Sequence, residues 1–219
     1  MFTIPDDLIE LGKTRIQGHA VQGFVRSYGN PNPKLLLVGE APGENEIDTG
    51  VPFIGRAGNE LMKSLESVGL TREDVYMTSS VRSRPYKWGS KKERDGTIVK
   101  RIYNRAPKPS EIIAHAPLLD YEIQHLNPLL IVTLGTIGLQ RLLGKNAKVT
   151  ELHGKLLHQP VQYLSNLEDH HYEWTTNSFT IVPTFHPASV FYRPSLREEV
   201  NLDWLQVGQY LKDLYSIRK

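Results

Sequence analysis

The run Lys34-Leu35-Leu36-Leu37-Val38 is hemmed in by Asn30-Pro31-Asn32-Pro33 on one side and Gly39-Glu40-Ala41-Pro42-Gly43 on the other. A short apolar run between turn-forming residues reads as a strand buried on both faces, which is the habit of a parallel sheet. Similar runs recur at Val75 to Thr78, Leu129 to Gly135 and Phe179 to Thr184. Helical periodicity fills the gaps between them. Ala57 to Leu70 places Leu61, Leu65 and Val68 on one face. Ser110 reads as the N-cap of a helix reaching about Leu126, interrupted or kinked at Pro117. A short helix runs through Leu142-Leu143 to Gly144, and Glu198 to Tyr215 carries an apolar stripe of Val200, Trp204, Val207, Leu211 and Leu214. Strands alternating with helices predict an α/β fold: a three-layer α/β/α sandwich, with a mostly parallel central four-stranded sheet, in a single domain spanning residues 1–219. Leu156–Asn177 is polar and compatible with a hairpin.

Composition removes several classes of function. With no cysteine there is no disulfide scaffold, no thiolate zinc site, no cysteine nucleophile and no four-cysteine iron–sulfur cluster. No apolar run approaches the ~18–20 residues of a membrane span. Met1 to Lys13 carries Asp6, Asp7 and Glu10 and lacks the pattern of a secretion signal, so a cytoplasmic protein is expected. Net charge is only +2, but its distribution is uneven. Arg82 to Lys108 holds ten cations against Glu93 and Asp95, with Tyr86, Trp88 and Tyr103 interleaved. Cations among stacking rings suit a nucleic-acid strand, whereas a solvated, partly disordered loop is the bland alternative.

In parallel sheets ligands bind beyond the carboxyl ends of the strands, so the loops at that end carry the candidate chemistry. Gly39 to Glu46 is crowded with acids and lacks the Lys-Ser/Thr of a phosphate-binding loop; it suits a neutral base and a developing cation better. Phe53, between Gly50 and Gly55, is either a ring that stacks on a planar base or a core residue. His186 follows the last strand and precedes Pro187. The histidines include no HExxH pattern, so neither a metal nor any cofactor is expected.

Taken in order, four strings resemble the uracil-DNA glycosylase superfamily, most closely its family 4: Leu37 to Gly43, Gly50 to Gly58, Asn104-Arg105-Ala106-Pro107-Lys108-Pro109-Ser110-Glu111, and His186-Pro187-Ala188. The likeness extends from about residue 20 to the C-terminus. It implies a monofunctional glycosylase, acting as a monomer on uracil-containing DNA, single- or double-stranded, with no membrane involved. In that family the loop matching Gly39–Gly43, including Glu40 and Ala41, lies against the sugar and base of an extruded nucleotide. The acid matching Glu46 lies near the base C5 edge, the ring matching Phe53 stacks on uracil, and the histidine matching His186 hydrogen-bonds O2. Glu40 and His186 are thereby the expected catalytic pair. The segment His186 to Arg193 matches a minor-groove loop: Ser189 and Arg193 would meet DNA, and Val190 or Phe191 would wedge into the duplex unless packed in the core. Arg82, Arg84, Lys100 and Arg101 are the expected phosphate contacts.

Three departures qualify the likeness. Family 4 holds a structural iron–sulfur cluster on four cysteines, but the matching positions here fall near Gly12 to Arg15 and at Ser83 and His115, so packing of the N-terminal segment against the Ser110 helix must compensate. The family's asparagine that reads the uracil O4 and N3 edge is replaced by Ser79, whose hydroxyl lacks the paired donor and acceptor of an amide. The segment between Arg84 and Asn104 is long, and its Lys100-Arg101-Ile102-Tyr103 resembles a basic insertion in a branch that traps DNA through a histidine; Tyr103 stands in that place and is a poor nucleophile, so a DNA clamp is expected. The Ser79 change also keeps open a second function, that of a DNA-binding member with weak or no glycosylase activity. A nucleotide-handling α/β enzyme unrelated to repair is the third.

Overall fold

The computed structural model describes residues 2–168 and 170–217. Helix α1 (Asp6–Arg15) leads through β1 (Val21–Gln22) and β2 (Tyr28–Gly29) into β3 (Leu35–Gly39). Then come α2 (Glu44–Thr49), α3 (Arg56–Ser67), β4 (Val75–Ser79), the paired β5 (Arg84–Lys92) and β6 (Ile98–Asn104), and α4 (Pro109–Leu126). The second half runs β7 (Ile131–Leu134), α5 (Thr136–Leu143), α6 (Val149–Leu152), β8 (Leu157–Gln159), β9 (Gln162–Tyr163), β10 (Glu173–Trp174), β11 (Phe179–Thr184), α7 (Ser189–Tyr192) and α8 (Leu196–Ile217). Among the described residues no helix is long and apolar enough to cross a membrane.

The main sheet has the order β2-β4-β3-β7-β11-β8. Its four central strands are parallel, as expected, and antiparallel β2 and β8 extend it to six. The alternation inside β3 explains the layers, because successive side chains leave a strand on opposite faces. Leu35 and Leu37 pack with Leu61 and Leu65 of α3 and with Trp204, Val207 and Leu211 of α8. Leu36 and Val38 pack with Leu119 and Ile123 of α4 and Leu142 of α5. Two cores on one sheet make the three-layer sandwich.

Several local expectations are corrected. The cap of α4 is Lys108, not Ser110: Pro109 occupies the first turn and the Glu111 carboxylate accepts the Lys108 N–H at 2.8 Å. The helix also runs unbroken through Pro117. A proline there removes the donor for the Ile113 carbonyl four residues back. Arg15 supplies a substitute, donating to Ile113 O at 3.4 Å and Ala114 O at 3.2 Å. The polar stretch 156–177 holds β8, β9 and β10, with β9 and β10 paired antiparallel; Asp169 lies outside the described residues. The basic segment is an ordered hairpin, β5 against β6, anchored through β1 in a separate three-stranded sheet.

Helix α4 turns three polar side chains, Glu111, His115 and Glu122, wholly inward. Glu111 grips Arg105 with both carboxylate oxygens, at 2.5 and 2.8 Å. His115 accepts the Arg82 backbone N–H on Nδ1 at 2.9 Å, and burial holds its imidazole down at about 3, so the ring stays neutral. Glu122 ion-pairs with the Arg82 guanidinium and accepts the hydroxyls of Tyr76 (3.1 Å) and Thr78 (2.6 Å).

The residues at the would-be cluster positions do not fit an iron–sulfur group. None is a thiol, the His115 Nδ1 lone pair is occupied, and a Cβ added at Gly12 would stand 2.8 Å from Leu118 Cδ1. Side chains fill that space and join α1 to α4.

The Arg82–Glu122 pair generates a test. Removing one charge of a fully buried pair leaves the other uncompensated, at a cost of about 3–5 kcal/mol. Urea unfolding of Glu122→Gln at neutral pH is expected to show a loss of that order; a change under about 1 kcal/mol would mean the pair is not a buried ionic contact.

Candidate active site

The carboxyl ends of β3, β4 and β11 open into one cleft of about 500 Å³. Glu40, Ala41, Glu46, Phe53, Ser79 and His186 all line it. Separated by up to 146 positions in the chain, they meet because the strands that carry them are parallel neighbours.

Phe53 enters the cleft from a backbone with φ of 55°, a conformation disfavoured for a bulky residue. Three contacts hold it there. Arg72 donates to the Pro52 carbonyl at 2.9 Å and the Phe53 carbonyl at 2.6 Å. Glu46 accepts the N–H groups of Ile54 (3.1 Å) and Gly55 (2.9 Å) on one oxygen and that of Gly43 (3.1 Å) on the other. Gly58 leaves room for the Phe53 carbonyl, which a Cβ would meet at 2.0 Å. The ring itself lies over Gly39, its Cζ 2.6 Å from where a Cβ would stand. Glu46 thus both lines the cleft and staples the acidic loop to the Phe53 turn.

His186 is fixed as sharply. The Ala188 N–H donates to Nδ1 at 3.1 Å, so the neutral ring must carry its proton on Nε2. Burial holds this imidazole down at about 4. Gly135, at φ 87°, lets it approach the end of β7: a Cβ there would lie 2.8 Å from His186 Cβ. In the same cleft, burial raises the Glu40 carboxyl above the ordinary glutamate range, and no side chain among the described residues hydrogen-bonds it.

Ser79 donates its hydroxyl proton to the Val81 carbonyl at 2.8 Å, leaving only lone pairs for a ligand. A neighbour that sequence reasoning missed supplies the converse. Asn104, the last residue of β6, lines the same cleft; its carbonyl oxygen accepts Arg84 Nε at 2.6 Å. That contact fixes the amide orientation and leaves the NH₂ as the free end, with Nδ2 3.5 Å from where a Cβ on Gly43 would stand. The motif containing Asn104 was visible in the sequence, but nothing local marked this side chain.

The chain's similarity to known proteins agrees with this placement. Residues 26–207 match the family model of the uracil DNA glycosylase superfamily. The chain belongs to that superfamily. It is 31% identical over 190 residues to the type-4 uracil-DNA glycosylase of Saccharolobus solfataricus, covering 85% of this chain and 76% of that protein. The corresponding enzyme of Archaeoglobus fulgidus is 30% identical over 190 residues, with 85% and 81% covered. That of Thermotoga maritima is 34% identical over 161 residues, with 73% and 67% covered.

Some of the expected DNA contacts for this superfamily member are corrected. Arg82, 2% exposed, reaches only the cleft floor; its guanidinium belongs to Glu122 and Ser27. Arg84 is also buried, spent on Asn104, Gln22 and Glu44. Basic residues at the start of a cationic run look solvated in sequence, but Arg82 follows the interior strand β4 and Arg84 opens β5, the middle strand of its sheet, so both are covered by neighbours. Val190 packs in the core, Ser189 Oγ is buried, and Phe191 lies beneath the Arg56 guanidinium at 4.4 Å. The exposed apolar side chain of that loop is Tyr192, at 85%, on the rim of the cleft. Arg193, Lys100 and Arg101 remain at the surface.

Glu46→Ala tests the staple without any assumption about substrate. Hydrogen bonds to a charged acceptor are worth about 1.5–3 kcal/mol, so amide exchange at Gly43, Ile54 and Gly55 is expected to quicken by about tenfold or more, with the β4 amides unchanged. Unaltered exchange at Ile54 and Gly55 would show that the turn is held by other means.

Proposed function

We propose that this chain hydrolyses the N-glycosidic bond of uracil, or a related deaminated base, in DNA. The observation that carries this reading is the single cleft lined together by an unpaired half-buried carboxyl group, an aromatic ring and a neutral imidazole. A base inside a duplex has to be extruded before its C1′–N1 bond is reachable, at a cost of a few kcal/mol. Phe53 offers the extruded base a stacking surface, and Tyr192 on the rim is placed to fill the gap left behind.

As the C1′–N1 bond lengthens, its electron pair moves into the base and positive charge grows on the sugar. Glu40, as a carboxylate, balances the cation, while the Nε2–H of His186 donates to O2 of the departing anion. A neutral imidazole suits this task, since its proton is positioned beforehand and need not be taken up. Water then adds its oxygen to C1′, and its released proton balances the charge of the departed base.

Base choice follows from the remaining pair. Uracil presents N3–H as a donor and O4 as an acceptor. Ser79 offers a lone pair to the first, and the locked NH₂ of Asn104 suits the second; cytosine would set amino against amino. This divided reading replaces what one asparagine supplies in the family. It also bears on the alternative of a DNA-binding member with weak or no activity, because two side chains on separate strands must be held in register.

Single-turnover incubation with single- and double-stranded oligonucleotides bearing uracil, followed by alkaline cleavage, tests the reading. Product is expected from uracil and not from cytosine; tight binding without product supports the alternative. His186 is expected to add no inflection between pH 6 and 8, because it protonates only near pH 4. The rate should fall as acid protonates Glu40, starting above the pH at which an ordinary glutamate titrates. His186→Ala should lower the rate with little effect on DNA affinity. A titration of the His186 ring followed by NMR with a midpoint near pH 6.5 would contradict a neutral His186.

Asn104→Asp keeps the acceptor for Arg84 and deletes the donor. Uracil excision is expected to fall by about tenfold to a hundredfold, the kinetic equivalent of about 1–3 kcal/mol. An unchanged rate would remove Asn104 from the base edge.

A further inference from the structure

Beyond the cleft, β5 and β6 form a two-sided ribbon whose sides differ in chemistry. Directly opposed residues in an antiparallel pair share a face, and faces alternate along each strand. The register pairs Tyr86 with Asn104, Trp88 with Ile102, Ser90 with Lys100 and Lys92 with Ile98, so these eight share one face. Lys87, Lys91, Arg101 and Tyr103 lie on the other.

The two faces are not equally available. On the second, Glu93 ion-pairs with Lys91 at 3.1 Å and with Arg101 at 3.3 Å, which neutralises much of its charge. On the first, Lys92 and Lys100 have no carboxylate partner among the described residues. Trp88 on that face is 63% exposed, and its ring meets Tyr86 edge-on at 6.3 Å. Past Tyr86 the ribbon pairs only with itself. The same face begins at Asn104 inside the cleft and advances about 7 Å with each two residues, roughly the reach of one nucleotide.

Two aromatic rings, half-buried Tyr86 and exposed Trp88, followed along the same face by the unpaired Lys100 and Lys92, offer stacking surfaces and cations to a strand built of planar bases and phosphates. A duplex hides its base faces in the stack and offers such a surface only phosphates. We infer that the Tyr86–Trp88 face is a stacking platform for unpaired nucleotides next to the one held in the cleft, so that the ribbon favours single-stranded DNA. This rests on the reading of the cleft as a nucleotide pocket. It also sharpens the expected DNA clamp into one that tells single strands from duplex.

The test uses uracil-free DNA, so that it does not depend on excision. Binding of Trp88→Ala to labelled single-stranded and hairpin-duplex thymine-containing oligonucleotides is measured by fluorescence anisotropy across a salt series. Losing one base–aromatic stack is expected to weaken single-strand binding by about tenfold, with duplex binding changed by no more than about twofold. Trp88→Phe should restore most of the single-strand affinity. The slope of log K against log salt should not move in Trp88→Ala, but should shrink in Lys92→Ala/Lys100→Ala, by about 0.7 for each single-strand phosphate that is no longer neutralised. Equal loss for both DNA forms, or no loss for single strands, overturns the inference. Failure of the wild-type chain to remove uracil would count against the cleft reading, while the uracil-free comparison would still decide the ribbon.

Discussion

The buried pair between Arg82 and Glu122 anchors the side of the cleft that carries Ser79 and Asn104. Arg82 stands where the chain leaves the sheet after β4 and before the ribbon begins. Its guanidinium is drawn inward to Glu122 while its backbone N–H is held by His115, so both its ends are tied to α4. Ser79 on one side and Arg84 on the other are placed by that anchorage, and Arg84 in turn orients Asn104. Two charges in a dry interior tolerate little displacement, because separating them restores the full cost of burial without the compensating attraction. Tyr76, Thr78 and Ser27 complete the network, leaving Glu122 with several donors instead of one.

Where family 4 ties its N-terminal segment with a metal cluster, this chain uses ordinary packing. Arg15 satisfies carbonyls that Pro117 leaves open, Leu118 fills the space beside Gly12, and Arg105 joins the base of the ribbon to Glu111. Each contact is modest by itself. Together they convert α4 into a strut against which both the sheet and the ribbon are braced.

The cleft is lined by both a carboxyl, Glu40, and an imidazole, His186. Burial works against charge on both Glu40 and His186, but with different outcomes. It keeps the imidazole neutral at physiological pH, and it raises the Glu40 carboxyl, which no side chain among the described residues hydrogen-bonds. In the proposed reaction such a carboxylate, costly in the free protein, would gain its partner only as positive charge develops on the sugar. That is the arrangement expected of a site complementary to a transition state.

The layered α/β sandwich was legible in the residue order, because strands buried on both faces and helices with a single apolar face admit few other arrangements. Glu40 and His186 follow strand ends, where a parallel sheet gathers its ligand loops, but their expected roles and that of Phe53 came from the likeness of the surrounding strings to a family and not from residue order. Near-neighbour patterns did not disclose which cations turn inward, since burial of Arg82 depends on Glu122, 40 positions away. Nor did they disclose that Val190 is core while Tyr192 is exposed, or that Asn104 shares a cleft with Ser79. The pattern of apolar and turn residues therefore determined the layers by itself, since each local preference acts within a few residues. The fate of each polar side chain was left to the tertiary structure, because a charge is buried or free according to partners that only the folded chain brings within reach.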